Sequence, residues 1–146
     1  MKILVINGVN LNMLGSREPE VYGNRGYAAL CAEIVEFGSS IGAGVEVVQS
    51  NFEGEIVEFI HGAVGKFDGI VINPAAFTHY SYAILDALRA VDVPAVEVHI
   101  SNVHAREEFR QKSVTAAACV GQISGFGIES YKLAVRYLVE NLRQLT

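Results

Sequence analysis

Short apolar runs alternate along this chain with longer stretches in which apolar residues recur every three or four positions. That alternation constrains the fold more than any other feature. The runs are Ile3–Ile6, Val45–Val48, Gly69–Ile72 and Pro94–Ile100. Each is short, continuous and rich in β-branched residues, as expected of a parallel strand buried on both faces. Between them, Tyr27, Leu30, Ile34, Phe37 and Ile41 follow helical spacing and stop before Gly42 and Gly44. Ile56, Phe59, Ile60, Ala63, Val64 and Phe67 mark a second helix, and Tyr82, Leu85 and Leu88 a third, capped by Thr78 or Ser81. A short helix is expected over Ala105 to Lys112, and Val114 to Ile123 fits a fifth strand. Ile128, Tyr131, Val135, Leu138, Leu142 and Leu145 form the apolar stripe of the last helix. Strands that alternate with helices imply a parallel sheet covered on both faces. Five such units suggest a flavodoxin-like three-layer α/β sandwich, with sheet order 2-1-3-4-5 by fold analogy.

The 146 residues suffice for a full core, and no linker, repeat or low-complexity stretch divides them. One domain over residues 1–146 is therefore expected. A formal charge of −5 gives no basic surface that would select nucleic acid. An anionic ligand would need local arginines. No apolar run approaches the ~20 residues of a membrane helix, and Met1-Lys2 leads directly into the first strand. The expected location is cytoplasmic, without a secretory leader. Cys31 and Cys119 lie in apolar patterns and read as buried free thiols.

Polar residues gather where the strands end. Asn7 and Asn10 follow the first, Gln49-Ser50-Asn51 the second, Asn73 to His79 the third, and Glu97 to Ser101 close the fourth. The carboxyl ends of parallel strands share one edge, so these groups can converge. Glu97, His99 and Ser101 alternate with Val98 and Ile100, so an extended strand puts them on one face. A carboxylate beside an imidazole fixes its tautomer and raises its pKa, which suits a general acid. The loop after strand one also carries Arg17 and Tyr22. A guanidinium near a phenol favours the phenolate, which can abstract a proton. Pro19, Gly15 and Gly23 make this segment a plausible lid. Arg106 and Arg110, four apart, would share a helix face, and Arg110 lies within reach of an anionic or polyhydroxylated ligand. Ser124-Gly-Phe-Gly127 precedes a helix and could approach a phosphate, but it lacks the third glycine of a dinucleotide fingerprint. Asn7 and Asn73 stand where a phosphoacceptor module would need acids. His99 and His104 are not at metal-ligand spacing, and no Cys-x-x-Cys occurs.

Taken in order, these motifs resemble the type II 3-dehydroquinate dehydratases (3-dehydroquinases). The similarity runs nearly end to end, through Gly8-Val-Asn-Leu-Asn-Met-Leu-Gly15, Arg17-Glu-Pro19, Tyr22-Gly23, Gln49-Ser-Asn51 and Glu53-Gly-Glu55. It continues through Ile72-Asn-Pro-Ala-Ala-Phe-Thr-His79, Glu97-Val-His-Ile-Ser-Asn102, His104 to Arg110 and Gly125-Phe-Gly127. The resemblance implies dehydration of 3-dehydroquinate to 3-dehydroshikimate through an enolate, in the shikimate pathway, without metal or cofactor. Tyr22 would be the base and Arg17 would hold it as phenolate. Asn10 would orient a water on the enolate oxygen, and His99, held by Glu97, would protonate the departing hydroxyl. Asn73, Ile100, Ser101 and local backbone amides would bind the carboxylate, and His79 and Arg110 the ring hydroxyls. Asp86 would reach the site of a neighbouring subunit, which implies trimers assembling to a homododecamer. The expected partners are thus a small-molecule substrate and further copies of this chain, with no nucleic acid and no membrane.

Two positions depart from the family pattern. Val9 replaces the usual proline between Gly8 and Asn10, and Gly26-Tyr27 replaces a common Thr-Leu pair. Loss of the fixed φ at position 9 is expected to slow turnover modestly and leave substrate binding intact.

Overall fold

The first apolar run becomes the strand Lys2–Asn7 (β1), buried from Ile3 to Asn7. The computed structural model describes residues 1–15 and 26–143. β1 pairs in parallel with Gly44–Gln49 (β2) on one side and Gly69–Asn73 (β3) on the other. Ala95–His99 (β4) pairs with β3, and Gly121–Ser124 (β5) with β4, again in parallel. The order β2-β1-β3-β4-β5 is the flavodoxin-like order expected from the sequence.

The period-two alternation of each strand assigns the layers. Ile3, Val5, Val71, Val96 and Val98 face the helices Tyr27–Ser40 (α1) and Glu129–Arg143 (α4), and pack with Leu30, Ile34, Val135 and Leu138. Leu4, Ile6, Ile70, Ile72 and Ala95 face Glu53–Gly62 (α2) and Tyr82–Ala90 (α3), and pack with Ile56, Ile60, Ile84 and Leu88. Each Ile or Leu so buried contributes about 1.5–3 kcal/mol by leaving water. The sheet is therefore clamped from both sides, and its strand ends are held in register. That register sets Asn7 beside Gln49 and Asn73, and Glu97 beside Gln122.

Ser81 is the residue that caps α3: its Oγ accepts from Ile84 N at 3.1 Å and donates to Glu53 Oε2 at 2.6 Å. One hydroxyl thus ties the first turns of α2 and α3 together. Tyr82 does not join the buried stripe of α3. It is 61% exposed, while Leu85 and Leu88 are buried. α2 stops at Gly62, so Val64 falls in the following turn and is exposed.

Two other expectations are corrected. The residues from 105 to 112 do not form one helix: two short 3-10 turns, Val103–Ala105 and Glu108–Arg110, stand there with irregular chain around them. The fifth strand is only Gly121–Ser124, and Ala116–Ala118 is a 3-10 turn. The reason for the second is polar: Ser113 and Thr115 spend their hydroxyls on Glu97, which draws this stretch under the end of β4. Cys31 and Cys119 are free thiols but only half-buried. Burial, followed by the nearby Glu97 charge, pushes the Cys119 thiol up to about 12.

Candidate active site

The site is built on the last residues of β4. Glu97 is fully buried, and His99, 6% exposed, lines a cleft. His99 Nε2 lies 3.0 Å from Glu97 Oε2. A carboxylate can only accept, so this nitrogen carries the proton. Nδ1 is then the ring nitrogen left for a ligand. Three further donors surround the carboxylate: Ser113 Oγ at 2.8 Å and Gln122 Nε2 at 2.7 Å to Oε2, and Thr115 Oγ1 to Oε1. Thr78 Oγ1 backs both hydroxyls, at 2.7 Å from Ser113 and 2.8 Å from Thr115. Burial pushes the Glu97 carboxyl pKa up, but the hydrogen bonds and charge of His99, with the bonds from Thr115 and Gln122, outweigh it. The result lies below the ordinary value. Glu97 is an anion at neutral pH, and it holds His99 in one tautomer and orientation.

The loop after β1 closes one wall. Gly8 donates its N–H to Asn73 O at 2.8 Å, and a Cβ at this position would stand 2.3 Å from Pro74 O. Only glycine permits that approach. Asn10 follows in the left-handed region (φ 69°) and donates its backbone N–H to Asn51 Oδ1 at 2.9 Å. Gln49 Nε2 reaches Gly8 O at 3.2 Å and Asn51 Oδ1 at 3.0 Å. The polar end of β2 therefore braces this loop, while Asn10 itself lines the cleft.

Asn73, Ile100 and Ser101 line the same cleft, with His79, Arg106 and Arg110. His79 Nδ1 is 2.7 Å from Lys112 O. A carbonyl only accepts, so Nδ1 carries the hydrogen, and the neutral ring offers Nε2 as an acceptor, suited to a hydroxyl. Arg110 stacks over Phe109, 4.7 Å from the ring centroid, and pairs with Glu107 through Nε. Ser124 to Gly127 make no phosphate cradle. Gly125 N donates to His99 O and Gly127 N to Ile100 O, at the end of β4 and just beyond it, and Phe126 N donates to Ser130 Oγ of α4, so all three amides have partners within the chain. Gly125 takes φ 95° to do so.

The chain as a whole is similar to known proteins. The family described as Dehydroquinase class II matches residues 1–139. A protein of Clostridium acetobutylicum named 3-dehydroquinate dehydratase is 59% identical over 138 residues, covering 94% of this chain and 96% of its own. One of Thermotoga maritima, with the same name, is 57% identical over 146 residues and the full length of both. The chain belongs to the class II dehydroquinase family. Its fold agrees: the type II dehydroquinase from Butyrivibrio crossotus superposes with a TM-score of 0.93 at 54% identity, over 95% of this chain and 97% of that one.

Arg17 and Tyr22, the pair expected to supply the base of a class II dehydroquinase, lie outside the described residues. Asn10, Asn73, His79, His99, Ile100, Ser101 and Arg110 do converge on one cleft, with Glu97 directly behind His99. Asp86 is exposed on α3 and does not line this cleft. Sequence reasoning placed Arg106 on a helix face and gave it no role, yet it lines the cleft of this dehydroquinase beside Arg110. It also missed Ser113, Thr115 and Gln122, which hold Glu97. Little in the sequence signalled them, because they sit in a small, β-branched stretch that reads as a strand.

Proposed function

We propose that this chain is a hydro-lyase that dehydrates 3-dehydroquinate to 3-dehydroshikimate, the class II dehydroquinase step of the shikimate pathway. The observation that carries the reading is the buried Glu97 carboxylate behind His99, which lines a cleft together with Asn10, Asn73, His79, Ser101 and Arg110. A proton next to a ketone is weakly acidic, so the enolate must be stabilised as it forms. Hydroxide leaves poorly, so an acid must protonate it.

In this reading Tyr22, held as phenolate by Arg17, removes the proton beside the ketone. Asn10 orients a water onto the enolate oxygen. His99, as the imidazolium, gives the proton on Nδ1 to the departing hydroxyl, which leaves as water while the ring double bond forms; the proton on Nε2 stays with Glu97. Asn73, Ile100 and Ser101 hold the carboxylate. His79 Nε2 accepts from one ring hydroxyl and Arg110 donates to another. The acid and the base come from different loops, which lets them flank one substrate. Asp86, exposed on α3, completes the site of a neighbouring subunit in a trimer, and trimers assemble to a dodecamer. Residues 1–146 act as one catalytic domain in the cytoplasm.

Proton NMR of purified protein mixed with 3-dehydroquinate tests the activity. A new vinyl resonance at the expense of the ring methylene signals supports it. An unchanged spectrum from folded protein refutes it.

A further inference from the structure

Beneath the cleft, α4 sends a tyrosine to the sheet beside the apolar side chains of Ala134, Val135 and Leu138. Tyr131 is fully buried, as is Asn7, and Asn73 is 3% exposed. The register of β1 and β3 sets Asn7 directly beside Asn73. The Tyr131 hydroxyl bridges them, 2.6 Å from Asn7 Oδ1 and 2.9 Å from Asn73 Nδ2.

The donor directions are fixed from one end. Ala75 N–H donates to Asn73 Oδ1 at 3.0 Å, so that atom is the oxygen. The Asn73 amide nitrogen then donates to Tyr131, whose own proton goes to Asn7 Oδ1. Asn7 Nδ2 in turn reaches the Tyr27 hydroxyl at 3.4 Å. Burial pushes the Tyr27 phenol up, so it stays neutral. Each group has the partner its chemistry needs, which is how a buried polar network specifies one geometry. Asn73 spends one amide hydrogen on Tyr131 and keeps the other for the cleft that it lines.

We propose that Tyr131, seated by Asn7, is a positioning residue that holds the Asn73 amide in the orientation that binds substrate. The inference rests on the reading of Asn73 as an anchor for the substrate carboxylate. Phenylalanine would fill the same space, so the hydroxyl is what the site requires. An anchor that binds substrate and transition state alike affects KM and spares kcat.

The test is steady-state kinetics of the full chain with 3-dehydroquinate, for wild type, Tyr131→Phe, Asn73→Ala and the double variant. Tyr131→Phe is expected to raise KM about tenfold, the loss of one well-placed charge-assisted hydrogen bond, with kcat within about threefold of wild type. The double variant is expected to match Asn73→Ala, because Tyr131 acts through Asn73. An unchanged KM in folded Tyr131→Phe, or additive effects in the double variant, overturns the positioning role. Should Tyr131→Phe fail to fold, Asn7→Ala reads the same link: KM rises by about threefold if the link operates, and an unchanged KM overturns it. A wild type that does not turn over 3-dehydroquinate instead overturns the dehydratase reading, and this inference with it.

Discussion

Glu97 and His99, two residues apart on one strand, are joined by a 3.0 Å hydrogen bond between Oε2 and Nε2. The carboxylate is buried and the imidazole faces the cleft, so the pair has a structural end and a chemical end. Replacing His99 by Asn removes the proposed acid, and kcat is expected to fall by about 10²–10⁴, the usual contribution of a general acid. Glu97→Gln keeps the shape and removes the charge. It is expected to lower kcat less than His99→Asn, since the imidazole stays in place but loses the charge that steadies it. Steady-state rates at neutral pH check both. A Glu97→Gln variant with the kcat of wild type contradicts the coupling.

The same carboxylate makes stability depend on pH. Its folded pKa lies below the ordinary 4.5, so the unfolded chain binds the proton more tightly. The stabilisation is present above that value and is lost as pH falls through the folded pKa. Urea unfolding of wild type and Glu97→Gln between pH 6 and 3 is expected to show a steeper acid loss in wild type below about pH 4.5. Parallel curves contradict it.

The β1 loop gives a prediction that turns on Val9. Asn10 stands in the left-handed region at φ 69°, tied by its N–H to Asn51 and through its carbonyl to Met13 N. Val9 is partly buried and packs against the core cluster on the α2 and α3 side of the sheet. Proline there fixes one more dihedral. Val9→Pro is expected to raise kcat by about two- to fivefold at constant KM, the scale of such entropic restriction. No rise in kcat contradicts the view that placement of this loop limits turnover.

How legible the site was in the sequence follows from the period of each segment. The side chains of Glu97 and His99 were readable as neighbours because a strand alternates faces with period two, and polar residues at a buried strand end stand out. Asn10, Asn73 and His79 were readable as convergent because parallel strands share a carboxyl edge. Ser113 and Thr115 were not, because their β-branched, small-residue surroundings mimic a strand. Only the tertiary demand of a buried carboxylate pulls them out of one. Arg106 was set on a helix face with Arg110, whereas the chain there makes two separate 3-10 turns and both arginines reach the cleft anyway. Tyr131 read as one apolar position in the stripe of α4. Its hydroxyl acquires meaning only when the sheet register brings Asn7 and Asn73 together beneath it.

The central claim is dehydration with Tyr22 as base and His99 as acid. Its most direct test is the ultraviolet absorbance of the conjugated enone when protein meets 3-dehydroquinate in the presence of a chelator, with Tyr22→Phe alongside. The account predicts a rise with wild type that survives the chelator and vanishes with Tyr22→Phe. A wild type that is folded yet gives no rise, or a Tyr22→Phe variant as active as wild type, contradicts it.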